Sequence, residues 1–325
     1  MKEKRILVTG AAGFIGAETV KELIEQGHSV VGIDNLNDYY DVKVKELRLK
    51  LLEGSDRFEF IHGDIESKEL LKVLFEKYEF ESVINLAARA GVRYSMENPD
   101  VYLSTNINGT LNLLNLMKDY DCKKIVLAST SSLYAGQEMP FVEGLAVNNP
   151  ISPYAASKKA AEVLAYTYHH LYGIDVSIVR FFTVFGPIGR PDMALFRFIK
   201  WIDEGSPIEL FGDGSQARDF TYVTDVARGT IKALKNVGYE IINIGGGKNP
   251  ISIKYMIEKI EEMLGKKAVI NNKPFHKADM METWANIEKA EDLLDWKPEI
   301  SFEDGLKMCV DWYKENQAFC REVKL

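Results

Sequence analysis

The N-terminal segment places a short apolar strand, a glycine-rich turn and a helical pattern in an order that few folds accept. The strand is predicted over residues 5–9, and the helical pattern runs over residues 14–26. Between them, Gly10 permits a tight turn, Gly13 lets a pyrophosphate approach the backbone, and Gly16 lets the helix pack on the strand. The free N–H groups of the helix N-terminus suit phosphate oxygens. The segment therefore predicts the first unit of a dinucleotide-binding sheet, although a purely structural glycine turn has the same spacing.

The second predicted strand, residues 29–33, is followed directly by Asp34. A carboxylate at this place accepts hydrogen bonds from the hydroxyls of an adenosine ribose, and its charge repels a 2′-phosphate. The sequence therefore predicts NAD rather than NADP as the cofactor.

Strand and helix patterns continue to alternate through the first half of the chain. Further strands are predicted at residues 58–61, 82–85, 124–128 and 175–180, and helices at residues 68–78, 100–120 and 154–172. Repeated units of this kind form parallel sheets that are covered by helices on both faces. We expect an α/β fold with a Rossmann-type, doubly wound parallel sheet. Cofactor contacts beyond the three glycines and Asp34 are expected at Phe14, Ile15, Asn35, Asp64, Ile65, Leu86, Ala87, Ala88 and Phe181.

The second part of the chain differs in composition, because prolines and glycines become frequent after residue 180. We expect an NAD-binding Rossmann domain at residues 1–180 and a smaller α/β substrate-binding lobe at residues 181–325. An apolar strand at residues 240–244 is expected to rejoin the sheet. The first domain is therefore expected to include about residues 223–247, which makes the lobe discontinuous.

A second motif, Ser152-Pro153-Tyr154-Ala155-Ala156-Ser157-Lys158, is suited to the start of a helix. Ser152 can cap the free backbone donors, and Pro153 fits the first turn. Tyr154 and Lys158 would then lie one turn apart on one face. A tyrosine hydroxyl needs its pKa lowered by about 3 units, roughly 4 kcal/mol, before it can act as a base near pH 7. An ammonium beside it favours the phenolate. The alternative is an amphipathic helix with a surface tyrosine and lysine.

Composition excludes several other classes of function. The 325 residues carry a net charge of −8 without a basic block, which argues against nucleic-acid binding. Three cysteines, Cys122, Cys309 and Cys320, are too few and unpatterned to indicate a disulfide framework or a metal site. No apolar run is long enough to cross a membrane, and the first strand begins too early for a signal peptide. A cytoplasmic protein is expected.

Taken together, the glycine motif, the hydroxyl residue after the fifth strand and the Tyr154/Lys158 pair resemble the extended short-chain dehydrogenase/reductase superfamily. Within it the chain is most similar to the nucleotide-sugar 4-epimerases, and among these to the UDP-glucuronate 4-epimerases. The segments that carry this resemblance are residues 34–40, 87–95, 180–193 and 218–222. The resemblance implies bound NAD, a UDP-sugar held in the lobe at residues 181–325, and inversion at C4 of the sugar.

The same resemblance implies roles for individual residues. Thr130 would hydrogen-bond the sugar O4, Tyr154 would be the base, and Lys158 would hold the nicotinamide ribose and acidify Tyr154. Arg190 would lie at the sugar and Arg218 at the pyrophosphate, where the planar guanidinium suits carboxylate or phosphate, although each could be a solvated surface charge. The full set of implied substrate contacts is Ser131, Ser132, Thr183, Arg190, Phe211, Arg218 and Asp279.

Three segments depart from the usual family pattern. Tyr134-Ala135-Gly136 has one extra residue, which is expected to reshape the loop near the sugar. His276-Lys277-Ala278-Asp279 replaces the usual Arg- or Gln-Pro-Gly-Asp at the uridine ribose, and Arg89 stands where many relatives have glutamine.

Two other functions remain open at this point. The first is a UDP-glucose or UDP-N-acetylglucosamine 4-epimerase, and the second is a non-catalytic NAD-binding regulator. A homodimer is expected, because relatives commonly pair through the helices that correspond to residues 100–120 and 154–172 around a two-fold axis.

Overall fold

The computed structural model describes residues 4–248, 250–275 and 280–325. Its strands are β1 Lys4–Thr9, β2 Val30–Asp34, β3 Phe58–His62, β4 Glu79–Asn85, β5 Lys124–Thr130, β6 Asp175–Phe181, β7 Thr183–Phe185, β8 Pro207–Phe211, β9 Ala217–Arg218, β10 Phe220–Tyr222, β11 Tyr239–Ile244, β12 Ile251–Ser252 and β13 Val269–Lys273.

The helices of the N-terminal half are α1 Phe14–Glu25, α2 Val42–Lys50, α3 Lys68–Lys77, α4 Val92–Glu97, α5 Asp100–Tyr102 and α6 Thr110–Asp119. Those of the C-terminal half are α7 Pro153–Tyr172, α8 Ala194–Glu204, α9 Val223–Lys232, α10 Ile253–Leu264, α11 Glu288–Leu294, α12 Phe302–Glu315 and α13 Gln317–Glu322. Among the residues described, no helix is long and apolar enough to cross a membrane.

Seven parallel strands form the central sheet in the order β11-β6-β5-β4-β1-β2-β3. Strands β1 to β3 are added toward one edge of the sheet and β4 to β6 toward the other, so the order of addition switches between β1 and β4. Sheets of this kind bind ligands at the carboxyl edge of this switch point. Both faces are buried: Leu7 and Val83 belong to one apolar cluster, whereas Ile6 and Ile84 belong to the other. The predicted doubly wound parallel sheet is confirmed.

The strand predicted at residues 240–244 does rejoin the sheet, because β11 pairs in parallel with β6 and Ile241 lies opposite Ile178. Helix α9 packs against α1 on the same domain. Most of the remaining C-terminal half forms a third apolar cluster under α8, α10 and α12, and three two-stranded sheets lie there. The proposed division at residue 180 stays a prediction.

The helix predicted over residues 100–120 is correct in position but not in form. It consists of α5, a π-helical segment Leu103–Gly109, and α6. The wider turn carries Asn106, which is buried and whose amide donates to Arg89 O and Ser157 Oγ. A π-helical insertion of this kind does not alter the apolar pattern of the flanking turns, so the sequence does not reveal it.

Candidate active site

A cavity of ≈ 890 Å³ lies at the carboxyl edge of the central sheet and is lined by residues from both halves of the chain. All predicted site residues that the structure describes line this cavity. The remaining one, Asp279, lies outside the described residues, as do His276 and Lys277. The motif-based predictions therefore converge on one place.

The glycine-rich turn leaves no space for side chains. Gly10 has φ +70, a left-handed conformation, and a Cβ there would lie 2.8 Å from Ala87 N. A Cβ on Gly16 would lie 2.0 Å from Gly10 O. Helix α1 then begins after Gly13, where no side chain caps it. Backbone and helix terminus thus form the close-fitting cradle that a pyrophosphate requires.

Asp34 closes the adenosine end of this cradle. Its carboxylate accepts hydrogen bonds from the backbone N–H groups of Ala12 and Leu36, at 3.2 and 2.8 Å. The Nζ atom of the buried Lys45 lies 3.8 Å away, and burial lowers the pKa of Lys45. A fixed carboxylate beside the phosphate turn fits the ribose of a dinucleotide. The sequence analysis missed Lys45, because a lysine on a Lys-rich helix is typical of a solvated surface.

Helix α7 begins as predicted. The Ser152 hydroxyl accepts the Ala155 N–H at 3.2 Å, and Pro153 occupies the first turn. Tyr154 and Lys158 both face the cavity, and the Lys158 Nζ donates to Ala128 O at 3.0 Å. The ring of Tyr154 packs edge-on against Tyr102, with 6.0 Å between ring centroids. The base and the cation implied by the motif are therefore held on one face, beside the end of β5.

Burial is the largest influence on the pKa values of Tyr154 and Lys158. Burial raises the pKa of Tyr154, and the groups that oppose this rise are the Thr130 hydroxyl, through a hydrogen bond, and the charge of Arg190. Burial also lowers the pKa of Lys158 to about 8, against the attraction of Glu162. Lys158 is not among the groups that shift the pKa of Tyr154, and its ammonium is directed to a backbone carbonyl. The acidification of Tyr154 by Lys158 stays a prediction.

Hydroxyl groups cluster where β5 ends at the cavity. Thr130 ends β5, and its Oγ1 accepts the Ser132 N–H at 3.1 Å in the turn Ser131–Tyr134. Thr183 opens β7 on the facing segment. With Ser131, these residues line the cavity. Hydroxyls can donate hydrogen bonds to a carboxylate without bringing a charge of their own.

Arg190 is paired with a carboxylate of its own loop and is only 15% exposed, so it is not a solvated surface charge. Its Nε and Nη2 atoms donate to the two carboxylate oxygens of Asp192 at 3.0 and 2.6 Å. Its guanidinium also lies 5.3 Å from the Tyr39 ring centroid and 5.7 Å from that of Tyr40. A residue two positions away thus neutralises it, a loop contact that no sequence periodicity indicates.

Beside Arg218, the wall of the cavity carries two cations that were not predicted from the sequence, Arg93 and Arg197. Arg218 donates to the backbone oxygens of Ala217 and Met281 at 2.8 and 3.1 Å. The Arg93 guanidinium lies 4.0 Å from the centroid of the Phe211 ring. Arg197 also lines the cavity. Arg93 could have been found, because it lies in the motif of residues 87–95, whereas Arg197 carries no sequence signal.

The extra residue at Tyr134-Ala135-Gly136 leaves the tyrosine in the core. Tyr134 is buried, stacks on Phe141 and accepts a hydrogen bond from Arg180 Nη1 at 2.8 Å. Ala135 lines the cavity, and Gly136 has φ +82. The extra residue therefore lies in the wall of the cavity, and its expected effect on the shape of the loop stays a prediction.

Comparisons with known proteins agree with this site. A model of the NAD dependent epimerase/dehydratase family matches residues 6–245. The chain is 60% identical over 319 residues to the UDP-glucuronate 4-epimerase of Thermodesulfobacterium geofontis, covering 98% of this chain and 99% of that protein.

Solved structures give the same result. The UDP-glucuronic acid 4-epimerase of Bacillus cereus, in complex with UDP-glucuronic acid and NAD, matches with a TM-score of 0.90 and 40% identity, over 96% of this chain and 99% of that chain. The UDP-glucose 4-epimerase of Thermotoga maritima, with UDP-glucose, matches with a TM-score of 0.86 and 31% identity, over 96% and 99%. The family predicted from the motifs is confirmed: the chain belongs to the NAD dependent epimerase/dehydratase family.

Proposed function

We propose that this protein interconverts UDP-glucuronate and UDP-galacturonate by inverting C4 of the sugar. The observation that carries the proposal is the near full-length similarity to an enzyme named for this reaction. The cavity supports it, because the residues assigned to cofactor, base and sugar all line one continuous space.

Held in this cavity, NAD supplies a reversible hydride acceptor for C4 of the sugar. The glycine turn and Asp34 hold the pyrophosphate and the adenosine ribose, and Lys158 holds the nicotinamide ribose. Thr130 orients the O4 hydroxyl while Tyr154 takes its proton, and Tyr154 returns a proton after the 4-keto sugar has turned over. The raised pKa of Tyr154 means that binding must supply the charge that favours its phenolate form.

The hydroxyl cluster gives the site its preference for a uronate. The 4-keto form of a glucuronate is a β-keto acid, and it loses CO₂ only when the carboxylate bond lies across the carbonyl plane. Hydrogen bonds from Thr130, Ser131, Ser132 and Thr183 would hold that carboxylate in the plane. The two positions directly after Thr130 are Ser131 and Ser132 rather than acidic residues, so elimination of water lacks its acid–base partner.

Two alternative functions would use the same cavity. A UDP-glucose or UDP-N-acetylglucosamine 4-epimerase would employ the same Tyr154, Lys158 and NAD on a neutral sugar. A non-catalytic NAD-binding regulator would bind the cofactor without turnover. The first is disfavoured by the dense hydroxyl cluster at the sugar end, and the second by the intact set of Thr130, Tyr154 and Lys158.

The test is to incubate the protein separately with UDP-glucuronate, UDP-glucose and UDP-N-acetylglucosamine and to separate the products by chromatography. We expect UDP-galacturonate from UDP-glucuronate without pentose products. Specificity for UDP-glucuronate should exceed that for UDP-glucose by about 10²-fold or more, since a neutral sugar leaves the hydroxyls without their acceptor. Faster turnover of UDP-glucose would contradict the uronate assignment, main release of CO₂ would contradict the epimerase, and no turnover at all would favour the regulator.

We further propose a homodimer. Helix α7 packs beside the π-helical segment, and together they present Val163, Tyr166 and Leu103 as exposed apolar side chains. Exposed apolar side chains on two neighbouring elements favour an interface at this place. Two copies of these helices would cover each other around a two-fold axis.

The cytoplasmic location is also kept as a proposal. Cys122, Cys309 and Cys320 are all buried free thiols, a state that a reducing compartment favours. Cell fractionation would test it.

A further inference from the structure

Arg48 on α2 is a buried cation whose partners are all neutral. Its side chain is only 3% exposed. The Nε and Nη2 atoms donate to Ile188 O at 3.0 and 2.7 Å, and Nη1 donates to Ala12 O at 3.1 Å and to the Tyr40 hydroxyl at 2.7 Å. Within the described part of the chain, no carboxylate forms an ion pair with it. A buried guanidinium held in this way must be balanced by several well-aligned hydrogen bonds.

These contacts join three separate segments. Ala12 belongs to the glycine-rich turn, Tyr40 to the segment after β2, and Ile188 to the loop between β7 and α8 in the C-terminal half. Each segment contributes neighbouring residues to the cavity wall, whereas Arg48 itself does not line the cavity. Arg48 can therefore act on a bound ligand only through the segments it holds.

Of the three contacts, the one with Ile188 involves an unusual backbone conformation. Ile188 has φ +53, a left-handed conformation that a β-branched residue rarely adopts. Its carbonyl receives two donors from one guanidinium. Backbone strain of this kind persists only where surrounding contacts fix it. Two residues later, Arg190 donates to Ala90 O at 3.3 Å and lies against Tyr39 and Tyr40.

We propose that Arg48 is a positioning residue for recognition of the sugar: it fixes the Ile188 carbonyl and Tyr40, and thereby sets the place of Arg190 at the sugar end of the cavity. The proposal rests on the proposed function, in which Arg190 contacts the sugar. It predicts an effect on the sugar part of the ligand that the UDP part does not share. Sequence reasoning does not reveal this role, because Arg48 follows several lysines on a short helix that reads as surface.

The test compares Arg48→Met with Arg57→Met. Arg57 is a matched control, because its guanidinium also donates to a backbone oxygen, Gly27 O at 2.8 Å, on the same domain but at the surface. Affinities for UDP and for UDP-glucuronate are measured by calorimetric titration, with bound NAD measured in each protein. We expect Arg48→Met to weaken UDP-glucuronate binding by about tenfold and UDP binding by less than about twofold. Arg57→Met should change neither. Equal losses for UDP and UDP-glucuronate, or loss of bound NAD, would overturn the proposal.

A double-mutant cycle tests whether Arg48 acts through Arg190. If it does, adding Arg48→Met to Arg190→Met weakens UDP-glucuronate binding no further, because the group that Arg48 positions is already gone. Additive losses would overturn the proposal. Failure of the proposed function is read separately, from the turnover of the wild-type protein. If the wild type converts another UDP-sugar, the same titrations are made with that sugar and decide the role of Arg48 independently.

Discussion

Glu162 and Arg180 form a two-point ion pair in which each side chain is only 1% exposed. Arg180 Nε and Nη2 donate to the two carboxylate oxygens at 2.9 and 2.8 Å, and the Ser129 hydroxyl donates to the same carboxylate at 2.7 Å. Glu162 lies one turn beyond Lys158 on α7, and Ser129 directly precedes Thr130 on β5. The pair therefore ties the helix that carries Tyr154 to the two strands that end at the cavity.

The first prediction concerns the stability that this pair confers. Glu162→Gln should lower the free energy of unfolding by about 3–5 kcal/mol, because it leaves the Arg180 charge buried without a counter-charge. Asp311→Asn, which breaks the exposed Lys307–Asp311 pair on α12, is the control and should cost less than about 1 kcal/mol. Denaturant unfolding measures both. Equal losses in the two variants would show that Arg180 finds another partner.

Sequence reasoning was most successful where local pattern and tertiary structure agree. The strands of the central sheet, including β11, carry the apolar runs that a buried parallel strand requires. The glycine turn was predicted from its place between the first strand and the first helix. Among the paired strands of the C-terminal half, β9 and β12 were missed because they have only two residues each and their pairing is set by distant contacts. Short strands of this kind have no periodicity to read.

The same difference separates the site residues that were predicted from those that were missed. Residues that follow strands, such as Thr130 and Asp34, were predicted because a parallel sheet brings strand ends together. Side chains on short helices were not predicted. Arg48 on α2 and Arg93 on α4 have sequence surroundings that are typical of surface charges. The pairing of Arg190 with Asp192 was also missed, because it depends on the path of one loop.

The second prediction concerns pH and stability. The pKa of Lys158 is lowered by burial to about 8, whereas that of an unfolded lysine is about 10.4. The buried ammonium therefore costs stability in full below pH 8, and this cost disappears as pH rises toward about 10.4. Lys158→Met should stabilise the cofactor-free protein by about 3 kcal/mol at pH 7, and most of this gain should be lost near pH 10. Unfolding at both pH values measures it, with the exposed Lys72→Met as control. A gain that is independent of pH would contradict the argument.

The third prediction concerns the base. Tyr154→Phe should leave NAD bound and reduce turnover by at least about 10²-fold, as expected for loss of a positioned proton acceptor. Tyr255→Phe, on the exposed face of α10 where the hydroxyl donates to Glu303, is the control. Turnover of UDP-glucuronate and bound NAD are measured for each. Near wild-type turnover in Tyr154→Phe would remove Tyr154 from its assigned role.

The fourth prediction concerns assembly. Val163 and Tyr166 on α7 are 53% and 51% exposed, and we expect them to be covered in the dimer. Val163→Glu places a charge in that interface and should give a monomer at micromolar concentration. Val73→Glu, at a position on α3 that is 55% exposed, should leave the dimer intact. Sedimentation equilibrium distinguishes the two. A wild type that sediments as a monomer would refute the interface.

The last prediction concerns the origin of uronate specificity. Because Asp192 neutralises Arg190, the carboxylate of the sugar should be recognised mainly by hydroxyl donors rather than by a free cation. Thr183→Val keeps the shape of the side chain and removes one donor. It should lower kcat/KM for UDP-glucuronate by about tenfold or more, while kcat/KM for UDP-glucose changes little.

A matched control lies on the adjacent strand. Thr221 on β10 is buried, its hydroxyl has no hydrogen-bond partner among the described residues, and it does not line the cavity. Thr221→Val should therefore leave both specificity constants unchanged. Equal losses for the two sugars in Thr183→Val would mean that Thr183 supports the fold of the site rather than the carboxylate. If Thr183→Val keeps its preference for UDP-glucuronate over UDP-glucose, Arg190 would be the group that provides the specificity. Its ion pair with Asp192 would then have to open when the substrate binds.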